Sequence, residues 1–244
     1  MTDTTGSLDG CVIAFDLDGT LVDTAADLVG TLNTILQGQG HSEVPLQEAR
    51  SMIGRGAMAL LERGFAAAGV PLREDERQPL FDRFIEIYRG RIAEESRPFA
   101  GVVEALDELA GAGATLAVCT NKRTSLSVAL LEALGLAGRF AVIMGPDTAG
   151  VAKPDPGHLI ATVGAAGGRM QRALMVGDSQ TDYGAARAAG VPIVLVSFGY
   201  TEIPVEDLGG DALIDSFAEL PAVARRLLAP RLAAVSPALP GMDA

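Results

Sequence analysis

The 244-residue chain is 48% hydrophobic and carries 19 Lys and Arg against 31 Asp and Glu, a formal charge of −12. That balance disfavours attraction to a nucleic-acid backbone or an anionic membrane surface, so an anionic ligand must be met by local positive charge. No apolar run approaches the roughly 20 residues of a membrane span, and the opening Met-Thr-Asp-Thr-Thr-Gly-Ser is neither basic nor apolar, so a cytoplasmic protein is expected.

The first predicted element is a strand over residues 11–15, Cys-Val-Ile-Ala-Phe. It is β-branched and aromatic without polar alternation, the texture of a strand buried on both faces of a parallel sheet. Asp16 and Asp18 cap its end, on one side of an extended chain, and Gly19 lets the backbone turn at once. Open α/β sheets bind ligands at that edge, and two acids held close call for a cation between them or a retained proton. The same residues also suit an ordinary Asp-Gly turn. Helices follow over 23–37, where Leu28, Leu32, Ile35 and Leu36 share a face, and over 46–69 and 74–95. Their stripes are Leu61, Phe65 and Ala68, then Phe81, Phe84, Ile87 and Tyr88. No strand-like run interrupts this region. From Arg97 the pattern alternates, with a helix through Leu106 and Leu109, a strand over 114–119 and a helix through Leu126, Leu130 and Leu134. Further strands are predicted over 140–144, 173–177, 192–196 and 211–214.

This order predicts an α/β fold: a three-layer Rossmann-like core with a parallel sheet, formed by residues 1–22 and 97–228, and an all-helical cap inserted over 23–96. The cap leaves the core directly after the two aspartates, so it hangs over the sheet edge and can close on a substrate, excluding water. Residues 229–244, rich in Pro and Ala without a periodic apolar face, are expected to be a disordered tail. Cys11 and Cys119 lie in apolar runs and read as small buried hydrophobes, while His41 and His158 have no zinc-like spacing.

Other polar residues collect at predicted strand ends. Thr120 and Asn121 follow the strand over 114–119 and precede a helix, where free N–H groups favour an anion, although a polar pair there also serves as a plain helix cap. Asp178 and Asp182 follow the strand over 173–177; two such acids suit a hard cation such as magnesium, and Asp182 also complements a helix dipole. Lys153 sits in a loop stiffened by Pro154 and Pro156, either near the acids as a point charge or solvated. Arg55, between Gly54 and Gly56 in a turn between cap helices, either reaches a substrate carboxylate or is an ordinary surface arginine.

Together, Asp16-Leu17-Asp18-Gly19-Thr20, Thr120-Asn121, Lys153-Pro154-Asp155-Pro156 and Gly177-Asp178 with Asp182 resemble, in order and placement, the four motifs of the haloacid dehalogenase-like hydrolase superfamily. Through Ala100-Gly101-Val102, Cys119-Thr120-Asn121-Lys122 and Val176-Gly177-Asp178-Ser179-Gln180-Thr181-Asp182, the chain is similar to its phosphoglycolate phosphatase group. The resemblance implies a magnesium-dependent phosphatase acting on a small phosphorylated metabolite, 2-phosphoglycolate first, through an aspartyl-phosphate. Asp16 would be the nucleophile and Asp18 the general acid and base. Mg2+ would be held by Asp16, the Asp18 carbonyl and Asp178 with Asp182 nearby, and the phosphoryl oxygens by Thr120, Asn121 and Lys153. A sugar phosphatase, a pyrophosphatase, a phosphomutase and a non-catalytic phospho-aspartate regulator remain as alternatives. Neither nucleic acid nor membrane is expected as a partner, and charge and patterning select no oligomeric state.

Overall fold

The structure, a computed structural model, describes residues 7–235. In chain order the elements are β1 (Val12–Phe15), β2 (Val22–Asp23), α1 (Ala25–Gly38), α2 (Leu46–Arg50), α3 (Ala57–Ala67), α4 (Glu74–Gly90) and β3 (Arg97–Pro98). There follow α5 (Val102–Gly111), β4 (Thr115–Cys119), α6 (Thr124–Ala133), β5 (Val142–Met144), α7 (Pro146–Ala149) and α8 (Pro156–Ala165). The chain continues through β6 (Ala173–Gly177), α9 (Gln180–Ala188), β7 (Ile193–Val196), β8 (Ala212–Ile214) and α10 (Leu220–Val235).

Six of the strands form one parallel sheet in the order β5-β4-β1-β6-β7-β8. Both faces of the sheet are buried, which is why its strands read as unbroken apolar runs. Ile13 and Phe15 of β1 point to one face, packing in the cluster that holds Leu106 and Leu109 of α5 and Leu220 and Leu228 of α10. Val12 and Ala14 point to the other, with Leu159 and Val163 of α8 and Ala186 of α9. The result is the predicted three-layer core. Since β1 lies between β4 and β6, the residues that follow these three strands, Asp16, Thr120 and Asp178, emerge side by side. The chain order also reverses there, the place where open α/β sheets leave a crevice.

Helices α1 to α4 share an apolar cluster of their own, built on Leu28, Leu32 and Leu36 of α1, Leu61 and Phe65 of α3, and Phe84 and Tyr88 of α4. Two details differ from the sequence reading. The helical run over 46–69 is interrupted at 51–56, where Gly54 and Gly56 adopt positive φ. The two passages between these helices and the sheet are joined by a small antiparallel ladder, Val22 opposite Pro98 and Asp23 opposite Arg97, so strand pairing does reach the border of the helical stretch. Two residues per strand are too few to show a period.

The expected tail is also corrected. Helix α10 continues through Ala229 to Val235. Leu232 packs against the core cluster, and the Arg231 guanidinium donates to the carbonyls of Gln171, Met170 and Gly190 at 2.9, 3.1 and 3.2 Å. Contacts with residues distant in the chain, invisible in a local pattern, anchor this segment. The rest of the expected tail, residues 236–244, lies outside the described residues.

Asp27 ties the first helix to the returning chain. Fully buried in the first turn of α1, its carboxylate accepts from Ser96 Oγ at 2.6 Å, Ser96 N at 2.8 Å and Glu95 N at 3.1 Å. Replacing it with alanine orphans three donors at the junction. Asp27→Ala should lower unfolding free energy by about 1–3 kcal/mol or more, read from urea denaturation midpoints.

Candidate active site

Asp16 leaves β1 with its N–H bonded to the Val176 carbonyl of β6 at 2.9 Å, which sets its carboxylate at the sheet edge. The ammonium of Lys153 stands 2.8 Å from Asp16 Oδ1 and 2.6 Å from Asp182 Oδ1, fully buried between them. It is therefore no solvated loop lysine. Asp182 is the third residue of α9 and closes a capping box with Ser179. Its Oδ2 accepts from Ser179 Oγ at 2.6 Å, Ser179 N at 3.1 Å and Asp178 N at 3.3 Å. Asp182 thus caps the helix and also orients the lysine.

Asp178 accepts from Thr20 Oγ1 at 2.8 Å through Oδ1 and from Tyr200 N at 2.6 Å through Oδ2. One carboxylate oxygen from each of Asp16, Asp178 and Asp182 lies within 4.8 Å of the others. Three acids thus face one ammonium. Burial pushes the Asp16 carboxyl up to about 7 against the pull of Lys153, with Asp182 and Asp18 adding to the rise. Asp178 is also raised, by burial first and then by Asp182 and Asp16. The buried Asp16 Oδ1 meets only the Lys153 ammonium among the described residues. A surplus of buried oxygen ligands and negative charge fits a divalent metal. Asp182 accepts from four donors and Asp178 from two, so Asp16 and Asp178 keep the freer lone pairs.

Asp18 lies outside that cluster. Its Oδ1 accepts from Thr24 Oγ1 at 2.8 Å, and Lys122 Nζ is 2.8 Å from each carboxylate oxygen. Gly19 makes the divergence possible. Its φ of +85° turns the chain, and a Cβ there would fall 2.5 Å from Asp178 Oδ2.

The Asn121 side chain is spent on scaffolding. It donates to the carbonyls of Gly54 and Lys153 at 3.1 Å each and accepts from Lys153 N at 2.9 Å, tying the 51–56 loop and the lysine loop to the end of β4. Thr120 is buried, and its hydroxyl oxygen accepts from Lys122 N at 3.2 Å. A cavity of about 240 Å³ opens above Asp16 and Asp18, with Thr120, Asn121 and Arg55 also on its wall and helices α3 and α4 closing the far side. Arg55 is exposed, between two glycines at positive φ. Lys153, Asp178 and Asp182 are buried alongside Asp16.

The sequence model described as haloacid dehalogenase-like hydrolase matches residues 13–196. The chain belongs to the haloacid dehalogenase-like hydrolase family. Among its relatives, a phosphoglycolate phosphatase of Caulobacter vibrioides is 57% identical over 91% of this chain and 93% of its own length. One of Agrobacterium fabrum is 48% identical over 90% and 95%. The crystal structure of a predicted phosphoglycolate phosphatase from Haemophilus somnus superimposes with a TM-score of 0.82 at 31% identity, covering 89% of this chain and 98% of that one. CbbY from Rhodobacter sphaeroides, solved in complex with phosphate, superimposes at 0.74 with 27% identity, covering 86% and 95%. The relatives named for an activity are thus phosphoric monoester hydrolases. Among the described residues no helix is long and apolar enough to cross a membrane.

In this hydrolase, sequence reasoning missed several groups around the acids. Lys122 stood in the quoted Thr120-Asn121-Lys122 run and could have been marked as a cation at a strand end. Tyr88 was read as one more apolar position of a helix stripe. Thr20, Thr24 and Tyr200 reach the aspartates only through the fold.

Two outcomes follow from this geometry. Gly19→Ala strains a positive-φ turn and crowds Asp178, so turnover should fall by about 100-fold or more, the scale of a displaced active-site group, with weaker apparent metal affinity in a metal titration. His158, fully buried with Nε2 3.2 Å from the Met144 carbonyl and Nδ1 unpaired, is held down to about 4 from 6.5 by burial and by the charge of Lys153. A depressed base favours the folded state above 6.5 and loses that contribution as pH falls through about 4. His158→Gln should flatten the loss of thermal stability across that window, measured by melting at stepped pH.

Proposed function

We propose that the chain is a magnesium-dependent phosphatase that hydrolyses 2-phosphoglycolate to glycolate and inorganic phosphate in the cytoplasm. The names and identities of its relatives support the substrate. The observation that carries the chemistry is the buried Asp16 carboxylate at the floor of the cavity, 2.8 Å from the Lys153 ammonium and within 4.8 Å of carboxylate oxygens of Asp178 and Asp182.

In this reading Asp16 attacks phosphorus. A bond forms from its carboxylate oxygen to phosphorus while the ester P–O bond breaks, and the departing alkoxide takes a proton from Asp18, leaving as glycolate. Asp18 then takes a proton from water, whose oxygen bonds to phosphorus as the Asp16–phosphoryl bond breaks. Inorganic phosphate leaves and Asp16 is restored. Asp16, Asp178 and the Asp18 carbonyl would hold Mg2+, with Asp182 in support, and the ion supplies charge neutralisation for the phosphoryl oxygens. Lys153 adds positive charge beside the attacking group, and Thr120 offers its hydroxyl hydrogen. Because the Asn121 amide is engaged elsewhere, its contact with a phosphoryl oxygen falls to its main-chain N–H. Residues 1–22 and 97–228 serve as the catalytic core and 23–96 as the cap that closes over the substrate, with Arg55 facing its far end. No nucleic acid or membrane partner enters this reading.

Asp16→Asn keeps the shape of the side chain and removes the nucleophile. Its turnover of 2-phosphoglycolate, assayed with and without magnesium beside a panel of phosphorylated metabolites, should fall by roughly 10⁴-fold or more with an unchanged circular dichroism spectrum. Retention of most activity would refute the assignment.

A further inference from the structure

Helices α3 and α4 give the cavity a largely apolar roof, formed by Leu60, Phe81, Phe84 and Ile85. One polar group interrupts it. Tyr88 of α4 is fully buried and lines the cavity, yet its hydroxyl has no hydrogen-bond partner among the described residues. Burial pushes the phenol up to about 12, so it carries its proton at neutral pH and is a donor. Beneath the ring, 4.7 Å from its centroid, lies Lys122 Nζ, itself buried. An ammonium has three N–H donors and no lone pair. Two of the Lys122 donors meet the oxygens of Asp18, which leaves one in the direction of the cavity or the ring. Even where Lys122 faces the phenol oxygen, the phenol hydrogen still lacks an acceptor.

A buried donor left unsatisfied costs about 1–3 kcal/mol, which is unusual in a roof that apolar side chains could complete. Two donors, one of them cationic, call for an acceptor that is an anion. The phosphoryl group is already provided for at Asp16, Lys153 and Thr120. The acceptor therefore belongs to the other end of the molecule, and the space is small, about 240 Å³.

We propose that the Tyr88 hydroxyl, backed by the Lys122 ammonium, binds the carboxylate of the substrate, so that the site takes small phosphorylated hydroxy acids in preference to phosphomonoesters of the same size that lack a carboxylate. This rests on the phosphatase reading above and adds the residue that selects the acid. Since Tyr88 stands on a roof helix and Lys122 follows β4, the carboxylate is held only when the roof is seated on the sheet edge, which couples recognition to closure.

The test compares 2-phosphoglycolate with ethyl phosphate, which has the same two-carbon ester and no carboxylate, in the wild-type protein and in Tyr88→Phe, with magnesium present. The phenylalanine variant removes only an unpaired hydroxyl, so its melting temperature should be unchanged or higher. Its kcat/KM for 2-phosphoglycolate should fall about tenfold or more, mainly through KM, as expected for a lost hydrogen bond to a charged group, while ethyl phosphate should change by less than about twofold on the same ground. A preference for 2-phosphoglycolate that survives in Tyr88→Phe overturns the assignment of Tyr88 alone. Equal losses on both esters, with a lowered melting temperature, make the hydroxyl structural and overturn it likewise. A wild-type protein that handles both esters equally, or neither, overturns the substrate reading together with the inference.

Discussion

One buried ammonium governs the arrangement of the acids. Lys153 stands between Asp16 and Asp182, shielded from water, and without it three carboxylates within 4.8 Å would repel one another in a medium that screens poorly. Burying such charge costs stability, and a well-packed apolar cluster in its place would often be as stable or more so. The arrangement makes sense as chemistry. One positive charge against three negative ones leaves the site attractive to a divalent cation and still able to accept a phosphoryl group once that ion is bound.

The remaining contacts keep that cluster from relaxing. Asp182 is locked by a capping box at the start of α9, Asp178 by Thr20 and the Tyr200 amide, and the lysine loop by the Asn121 amide. All but the capping box join segments far apart in the chain. The Asn121 amide also reaches the Gly54 carbonyl, so the loop carrying Arg55 is attached to the same node as the lysine. Rigidity of this kind is what phosphoryl transfer asks for, because it depends on positioning and charge far more than on reactive side chains.

The helical insertion adds a second kind of control. Its polar contacts with the sheet edge include Arg63 with Glu202, Arg50 with Asp23, and the Tyr200 hydroxyl with Asp23 and the amides of Thr24 and Ala25. Its apolar core is a third cluster, which also takes in Leu126 of α6 and Tyr200, while Ile92 packs against both it and one of the clusters that flank the sheet. The insertion is thus fastened to the sheet edge by ion pairs, by the two-residue ladder, by the Asn121–Gly54 hydrogen bond and by the packing of Leu126 and Tyr200.

Much of this was legible in the linear order of residues. An apolar run that stops at Asp16, another that stops at Thr120 and a third that stops at Asp178 already imply adjacent strand ends, because parallel strands buried on both faces carry their period and their termini in their composition. The helix stripes through Leu28 to Leu36 and through Phe81 to Tyr88 likewise declare a buried face. What composition cannot encode is which distant groups meet. That Lys122 grips Asp18 and lies under Tyr88, that Asp182 holds Lys153, and that Arg231 holds the last helix in place are products of packing, where the partners are separated by tens of residues or more and no local period marks them. The sequence by itself determined the sheet, the inserted helices and the acids at the sheet edge. Only the tertiary structure decided which of those acids share a lysine, which stands apart, and which buried hydroxyl is left without a partner, because burial and charge pairing are properties of the folded chain as a whole.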